Sequence, residues 1–290
     1  MLSALLRSLR PAQWVKNLFV LVPLVFAHRL DRVDLALRSA AAFAAFCAAA
    51  SAIYLLNDLR DREADRLHPV KRLRPIAAGE LGAPAALAAA VLLAAAALAV
   101  AWRLGPGFST CLGIYLVLNV LYSLGLKRLV IVDVMTIALG FVLRVEAGAL
   151  AIGVEVSSWL LLCTIFVALF LGFAKRRHEL ALQPVSGTST RAVLEHYNLT
   201  FVDQMINVVT ASTVVSYALY AVDPGTAARL GTPYLVATVP LALFGIFRFL
   251  FLLYQKSDIA SPTEAILHDP PFLINLALWG VTVLVLIYGT

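Results

Sequence analysis

Long apolar runs separated by short polar connections repeat along the whole chain. Nine of them are long enough, or nearly so, to cross a hydrocarbon core of roughly 30 Å as α-helices. They cover residues 13–28, 35–57, 83–102, 108–125, 129–152, 158–174, 201–221, 233–254 and 271–288. Strands are not expected, because the runs are rich in Ala and Leu and lack the alternation of outer-membrane barrels. The pattern predicts an all-α integral membrane protein, a bundle of nine transmembrane helices.

Composition agrees with this prediction, since 61% of the residues are hydrophobic, only 14% are charged and the mean hydropathy is +0.89. Soluble globular chains carry a much larger charged fraction. No internal repeat is apparent, so residues 1–290 are predicted to form one integral domain. The first run contains Lys16 and Asn17 and no small-residue cleavage pattern, which favours a retained helix over a signal peptide. The three cysteines fall inside apolar runs, where a thiol behaves as a small hydrophobe.

Basic residues are distributed unevenly between the two sides of the predicted bundle. With the N-terminus in the cytoplasm, sixteen Lys and Arg residues lie in or beside cytoplasmic connections and five lie on the other side. Cytoplasmic connections of membrane proteins carry such an excess. The protein is therefore predicted to lie in the plasma membrane with its charged, active face towards the cytoplasm.

One cytoplasmic stretch, Tyr54 to Pro75, carries three aspartates, one glutamate and six basic residues. Asp58, Asp61 and Asp65 are spaced i, i+3 and i+7, which places them within roughly a 60° arc of a helix, beside Asn57. Carboxylates this close repel one another unless a cation lies among them, and Mg²⁺ prefers oxygen ligands. We therefore predict Asp58, Asp61 and Asp65 as Mg²⁺ ligands and Asn57, Asp58 and Asp61 as catalytic residues. A solvated connector of mixed charge is the alternative.

Cations near these acids point to a phosphorylated substrate. Carboxylates for a metal, followed by basic residues, are typical of a diphosphate site. Arg144 lies inside an apolar run, where an ionisable side chain faces a cavity or a partner by default. Arg248 is a weaker candidate, because snorkelling to the interface explains it. The predicted substrate-binding residues are Lys16, Lys71, Arg72, Arg74, Tyr122, Lys127, Arg144, Lys175, Arg176 and Tyr197. Positive-inside anchors and interfacial tyrosines are the alternative interpretation.

The arrangement N-D-x-x-D-x-x-x-D at 57–65, followed by R-P-x-x-x-G at 74–79, resembles the first aspartate-rich motif of the UbiA superfamily of intramembrane prenyltransferases. Further stretches resemble its decaprenyl-phosphate phosphoribosyltransferase branch: RPAQWVKN at 10–17, YSLGLKRLVIVD at 122–133, GFVLRVEAG at 140–148, LFLGFAKRRHEL at 169–180 and YNLTFVDQM at 197–205. The resemblance covers essentially the whole chain. It implies a nine-helix UbiA-like bundle with a magnesium-dependent diphosphate site.

The chain departs from the wider superfamily in one respect. Most members carry a second aspartate-rich motif after the sixth helix, whereas this chain has Lys175, Arg176, Arg177 and His178 there. The departure suits a phosphoribosyl pyrophosphate donor and a polyprenyl phosphate acceptor, with the product serving cell-wall sugar donor synthesis. Glu146 is a second departure, since an uncharged residue is expected within that block.

Two alternatives stay open at this stage: a prenyltransferase that joins a prenyl diphosphate to an aromatic acceptor, and a transporter of a phosphorylated anion. The transporter is disfavoured, because the charge lies at one membrane face and no inverted repeat is apparent. The polar segment Gln183 to Asn198 is interpreted either as a lid or as a surface connector. The expected partners are the two substrates and the lipid bilayer, with no nucleic acid, and assembly as a homo-oligomer is left open.

Overall fold

The computed structural model describes residues 2–182, 192–255 and 268–289. These residues form helices and turns and contain no strand. The α-helices are α1 (Leu2–Leu9), α2 (Val22–Phe26), α3 (Val33–Arg60), α4 (Arg62–Leu67), α5 (Ala83–Leu104), α6 (Pro106–Leu124), α7 (Val132–Ile152), α8 (Ser158–Ala181), α9 (Leu199–Val222), α10 (Pro224–Leu230), α11 (Val239–Gln255) and α12 (Pro270–Tyr288). The 3₁₀ helices are Pro11–Leu21, Lys71–Leu73, Leu126–Arg128, Ala192–His196 and Tyr234–Thr238. Residues 183–191 of the segment interpreted as a lid, and Lys256, lie outside the described residues.

Eight helical segments within the described ranges are long and apolar enough to cross a membrane, and they match eight of the nine predicted runs. The all-α membrane fold is therefore confirmed, while the count of nine is approximate. The first run differs, because it forms the 3₁₀ helix Pro11–Leu21 and the short helix α2. A 3₁₀ helix rises about 2.0 Å per residue against about 1.5 Å for an α-helix, so this segment reaches roughly 30 Å. It thus extends about as far as a 20-residue α-helix.

The chain packs as two compact units, the first formed by residues up to Leu124 together with Leu143–Val156. Its core lies between α3, α5, α6 and the second half of α7, and it is rich in alanine. Small residues let helix backbones approach closely in a membrane protein, where packing replaces the hydrophobic effect as the force between helices. Phe46 provides the bulk at the centre, with its ring 5.9 Å from Phe108 and 5.1 Å from Tyr115.

Gly148 of α7 marks the closest backbone contact of this first unit. A Cβ atom at this position would lie 2.0 Å from the carbonyl oxygen of Val20, in the 3₁₀ helix Pro11–Leu21. Only glycine leaves room for that carbonyl. The close approach fixes the 3₁₀ helix against α7 and therefore helps to position the residues that precede Val20.

The second unit comprises Gly125–Val142 and the residues from Ser157 onward. Helices α8 and α9 form its main pair, and Phe170 of α8 packs against Phe249 of α11 with ring centroids 4.8 Å apart. Arg248 does not need to snorkel, because it forms a two-point ion pair with Asp269 at 3.0 and 2.8 Å. Asp269 also caps α12 by accepting the N–H of Phe272. Whether the two units act as one integral domain stays a prediction.

Candidate active site

The aspartate motif lies where α3 ends and α4 begins. α3 ends at Arg60 and α4 begins at Arg62, so Asp61 lies between them, with φ −89° and ψ 7°. Helical hydrogen bonds continue across this turn, since Asp61 N–H donates to the Asn57 carbonyl (2.9 Å) and Asp65 N–H donates to the Asp61 carbonyl (2.8 Å). The helical spacing of the acids is therefore kept through the turn.

Asp58 and Asp65 are brought together, and Arg74 joins them. Both acids are buried, at 3% and 4% exposure. Arg74 Nη1 donates to Asp58 Oδ1 at 3.1 Å and to Asp65 Oδ2 at 2.6 Å. The Asp61 side chain is 41% exposed and forms its ion pair with Arg60, at 3.7 Å. The structure thus places two of the three predicted acids in one buried group and leaves Asp61 outside it.

Arg10 is the functional candidate that sequence reasoning missed. Its Nη2 donates to Asp58 Oδ1 at 2.5 Å, and its guanidinium lies over the ring of Tyr54, 5.0 Å from the centroid. Its backbone is left-handed, with φ 54° and ψ 61°, at the junction of α1 and the 3₁₀ helix Pro11–Leu21. Non-glycine residues adopt this conformation rarely. Because Pro11 disfavours an α-helical conformation at the preceding residue, the dipeptide Arg10-Pro11 was the available signal.

The acid–arginine group of Asp58, Asp65, Arg10 and Arg74 suits a hard dication in its chemistry. Its acids supply the oxygen donors that Mg²⁺ prefers. One oxygen of each acid lies within hydrogen-bond distance of a single cationic atom, Arg74 Nη1, so the two carboxylates already converge on one positive charge. Among the described residues, no set of three or more His, Cys, Asp or Glu side chains is arranged to hold a metal. The donors therefore fit Mg²⁺ by type and convergence, with two acids gathered rather than three.

The loop after α4 presents Lys71 and Arg72 at its surface. Lys71 is half-buried and Arg72 is exposed, and neither forms a side-chain ion pair within the described part of the chain. His68 orders this loop, because its Nδ1 accepts the backbone N–H groups of Val70 (3.2 Å) and Lys71 (3.3 Å). The loop that leads to Arg74 therefore carries one exposed and one half-buried cation.

The glycine of the R-P-x-x-x-G motif is explained by its backbone. Gly79 has φ +80°, a conformation that side chains of L-residues rarely adopt. The segment turns back at this point, and the Leu81 N–H donates to the Pro75 carbonyl at 3.1 Å. The motif thus combines one residue that contacts the acids, Arg74, with one that shapes the turn.

Arg144 is buried and held by protein groups of the first unit. Its Nε donates to Asn17 Oδ1 at 2.8 Å, and its Nη2 donates to the Tyr115 hydroxyl at 2.9 Å. The guanidinium also lies 4.7 Å from the Tyr115 ring centroid and 6.0 Å from that of Phe46. An ionisable group within a membrane helix was expected to face a partner. A substrate phosphate at Arg144 would have to compete with these contacts.

Arg176 lies in the interior of the second unit, completely buried. Its Nε forms an ion pair with Asp133 Oδ2 at 3.0 Å, and its Nη1 bonds to Glu179. Arg177 is also occupied, because it donates to Asp203 at 2.7 Å and stacks on Tyr254. Of the three consecutive cations at this point of α8, only Lys175 has an exposed side chain.

Tyr197 completes the buried group around Asp133. Its hydroxyl donates to Asp133 Oδ1 at 2.9 Å and accepts the backbone N–H of Ile131 at 2.6 Å. Ile131 has φ 68°, which is strained for a β-branched residue. Burial is the main cause that raises the pKa of Tyr197 above its ordinary value, so this hydroxyl keeps its proton at neutral pH. Tyr197 therefore ties the segment after α8 to the strained turn before α7.

The other predicted substrate-binding residues are distributed over both units. Lys16 and Tyr122 belong to the first unit and Lys127 belongs to the second, and all three are half-buried. Lys127 lies in the 3₁₀ helix Leu126–Arg128 and Tyr122 near the end of α6. Their assignment as substrate-binding residues stays a prediction.

Residues 18–286 match the family model described as the UbiA prenyltransferase family. The chain belongs to the UbiA prenyltransferase family. Relatives include the decaprenyl-phosphate phosphoribosyltransferase of Corynebacterium glutamicum, 34% identical over 99% of this chain and 87% of that protein. The enzyme of the same name from Mycolicibacterium smegmatis is 35% identical over 99% of this chain and 93% of its own length. The resemblance predicted from the motifs is therefore confirmed.

Solved UbiA structures share the fold of this family member. A UbiA homolog from Archaeoglobus fulgidus, solved bound to GPP and Mg²⁺, superposes with a TM-score of 0.71, at 20% identity, over 97% of this chain and 99% of that one. A digeranylgeranylglyceryl phosphate synthase structure superposes with a TM-score of 0.68 at 14% identity, over 100% of this chain and 99% of that one. Together with the eight apolar helices, the family identifies a multi-pass membrane protein.

Proposed function

We propose that this protein transfers the 5-phosphoribosyl group of phosphoribosyl pyrophosphate to a polyprenyl phosphate of the decaprenyl type, with Mg²⁺ as cofactor. The observation that carries the proposal is its identity of about one third, over nearly its full length, with two enzymes named for this reaction. The products are diphosphate and a β-linked phosphoribosyl lipid phosphate, a precursor for cell-wall sugar donors. The buried acid–arginine group supports the proposal, because it offers ligands for a metal and for phosphate together.

The acid–arginine group is assigned to the diphosphate of the donor. Asp58 and Asp65 would hold Mg²⁺, while the role of Asp61 as a third ligand stays a prediction, because its exposed side chain lies outside this group. When bound, this ion supplies stabilisation of the charge that develops on the leaving diphosphate. The planar guanidinium groups of Arg10 and Arg74 suit two-point contacts with phosphate oxygens. Lys71 and Arg72, in the loop after α4, are proposed to neutralise the remaining negative charge of the donor.

The reaction needs positioning and electrostatic stabilisation more than it needs a base. An oxygen of the acceptor phosphate is already negative at neutral pH and attacks C1 of ribose as the bond from C1 to the diphosphate breaks. Holding the attacking and leaving oxygens in line is worth a large part of the barrier and inverts the configuration at C1. Lys175 of α8, whose side chain is exposed, is proposed to contact the acceptor phosphate.

A prenyltransferase with an aromatic acceptor is the second candidate. Its support is the fold shared with a UbiA homolog that binds GPP. Against it, the end of α8 carries Lys175 to His178 where a second acidic motif is expected, and Glu179 there is bonded to Arg176. The transporter alternative is disfavoured, because the chain belongs to a family named for prenyl transfer.

Two parallel incubations of the purified protein with Mg²⁺ test the assignment. One contains radiolabelled phosphoribosyl pyrophosphate and a polyprenyl phosphate, and the other contains a prenyl diphosphate and 4-hydroxybenzoate. We expect a labelled lipid only in the first, and its loss on chelation of the metal. Product in the second incubation alone would reject phosphoribosyl transfer in favour of prenyl transfer.

The active face is proposed to lie on the cytoplasmic side of the plasma membrane, on the basis of the asymmetry of basic residues. Glu195 is exposed in the described segment Ala192–His196, whereas Arg103, also exposed, lies at the end of α5 on the predicted outer side. In a background with Cys163 replaced by Ser, E195C is expected to react with an impermeant thiol reagent only in inside-out vesicles, and R103C only in intact cells. The opposite labelling pattern would reverse the orientation.

A further inference from the structure

The charges in the acid–arginine group balance before any ligand binds. Asp58 accepts from both Arg10 and Arg74, and Asp65 accepts from Arg74, so two carboxylates face two guanidinium groups. The acid side chains are only 3% and 5% exposed, whereas those of Arg10 and Arg74 are 30% and 31% exposed. The acids are therefore buried in the interior, and the arginines, which contact them, are partly exposed.

We propose that Arg10 and Arg74 are resident counter-ions of this acid pair, and that they exchange onto the diphosphate of the donor when the metal takes their place on the carboxylates. This inference rests on the proposed function for the identity of the anion. It makes Arg10 a further substrate-binding residue. It also implies that the metal and the diphosphate bind as one unit, since neither finds its full set of contacts without the other.

Charge repulsion at the acids and the attraction of guanidinium groups to phosphate both favour this exchange. A dication that approaches Asp58 Oδ1 meets two positive groups within 3.1 Å of the same oxygen, so it gains little while they stay there. A diphosphate offers the arginines several negative oxygens in the geometry that guanidinium groups prefer. Once they move to the phosphate, the carboxylates face the metal without competition. By linkage, the metal and the diphosphate then raise each other's affinity by the same factor.

The contacts of Arg10 fit such an exchange. Its left-handed backbone places it at a break between α1 and the 3₁₀ helix Pro11–Leu21, rather than inside either element. Its guanidinium lies over the half-buried ring of Tyr54, 5.0 Å from the centroid, and this flat surface can support the cation when it leaves Asp58. Arg74 follows the 3₁₀ helix Lys71–Leu73 in an extended conformation and is likewise a loop residue.

Metal binding in the absence of both substrates tests the proposal. Mn²⁺ affinity is measured by electron paramagnetic resonance on purified protein for wild type, R74Q, R10Q and a matched control, R62Q. Arg62 is a neighbouring cation that pairs with exposed Glu63 at 3.2 Å and does not contact the acid pair. We expect R74Q and R10Q to bind Mn²⁺ at least about tenfold more tightly than wild type, the scale of one nearby charge removed. R62Q is expected to match wild type.

Thermal unfolding provides a readout in case R74Q folds poorly. Without divalent cations R74Q should unfold at a lower temperature than wild type, and Mg²⁺ should raise its unfolding temperature by more than it raises that of wild type. Unchanged or weaker Mn²⁺ affinity in both R74Q and R10Q would overturn the proposal. Because no transfer is measured, tighter metal binding in these variants supports the counter-ion exchange even where the radiolabel experiment rejects phosphoribosyl transfer.

Discussion

Removal of the Tyr197 hydroxyl isolates one interaction that the sequence does not reveal. In Tyr197→Phe the ring stays and only the oxygen is lost. That oxygen donates to Asp133, which is completely buried, and accepts the N–H of Ile131 at 2.6 Å. Asp133 would keep its ion pair with Arg176, at 3.0 Å, but lose a hydrogen bond to the other carboxylate oxygen.

The expected cost follows from these two contacts. A hydrogen bond to a charged group contributes about 1.5 to 3 kcal/mol. The bond from the Ile131 N–H contributes about 0.5 to 1.5 kcal/mol, because Ile131 is 42% exposed and water can replace the lost acceptor. Part of this cost is offset, because release of Ile131 from its left-handed conformation recovers about 1 to 2 kcal/mol. We therefore expect Tyr197→Phe to lower the free energy of unfolding by roughly 1 to 3 kcal/mol.

The assay is chemical unfolding in detergent, with amide hydrogen exchange at Ile131 as a local measurement. Tyr234→Phe is the control, because Tyr234 is 64% exposed and the substitution should change stability by no more than about 0.5 kcal/mol. The Ile131 amide should exchange faster in Tyr197→Phe alone. If both variants unfold alike and Ile131 exchange is unchanged, the role assigned to this hydroxyl is refuted.

The same variant predicts a dependence on pH. Burial raises the pKa of Tyr197 above its ordinary value of 10.0, so the folded state favours the neutral hydroxyl. Its contribution to stability is complete below the unfolded pKa and is lost as pH rises through the folded one. The difference in unfolding free energy between wild type and Tyr197→Phe should therefore shrink above pH 10, by up to about 1.4 kcal/mol per pH unit. A difference that stays constant or grows in that range would contradict the assignment.

Five further substitutions test the site and the packing of the first unit. Asp58→Asn is expected to lower turnover at least about a hundredfold and to destabilise the protein. Asp61→Asn should also lower turnover but should change the unfolding temperature little, since the Asp61 side chain is exposed. Equal losses of stability in the two variants would contradict the difference in burial between these acids. Arg74→Ala should raise the KM for phosphoribosyl pyrophosphate more than that for polyprenyl phosphate, and Lys175→Ala should do the opposite. Steady-state kinetics should show losses of about ten- to a hundredfold in kcat/KM. Equal effects on both substrates would mean that the same cations bind both phosphates. Gly148→Ala should lower the free energy of unfolding by roughly 1 to 3 kcal/mol, because the new Cβ would overlap the Val20 carbonyl oxygen. A stability equal to that of wild type would show that α7 and the 3₁₀ helix Pro11–Leu21 can move apart without cost.

The fold was predictable from the sequence because it depends on local properties. Hydrophobic length decides which segments cross a bilayer, and backbone hydrogen bonds within each segment make it a helix. The predicted runs other than the first therefore match the observed helices within about three residues, apart from α8, which continues beyond its predicted end at 174 to Ala181. The first run was the exception, since Pro11 and Pro23 and the 3₁₀ conformation between them let a shorter segment cover the same distance. The aspartate motif was also visible, because helical spacing is a local rule.

Only the tertiary structure decided which charged side chains meet. Arg10 contacts Asp58 across 48 residues, and Arg144 contacts Asn17 across 127 residues, and such pairs leave no periodic signal in a single sequence. The same limit explains Arg176, which reads as one of three surface cations yet is completely buried against Asp133. The physical reason is that a buried charge in a membrane protein requires a partner, and packing of distant helices selects that partner. The sequence by itself determined the helices, the acids and the family motifs, whereas packing determined which cations neutralise those acids.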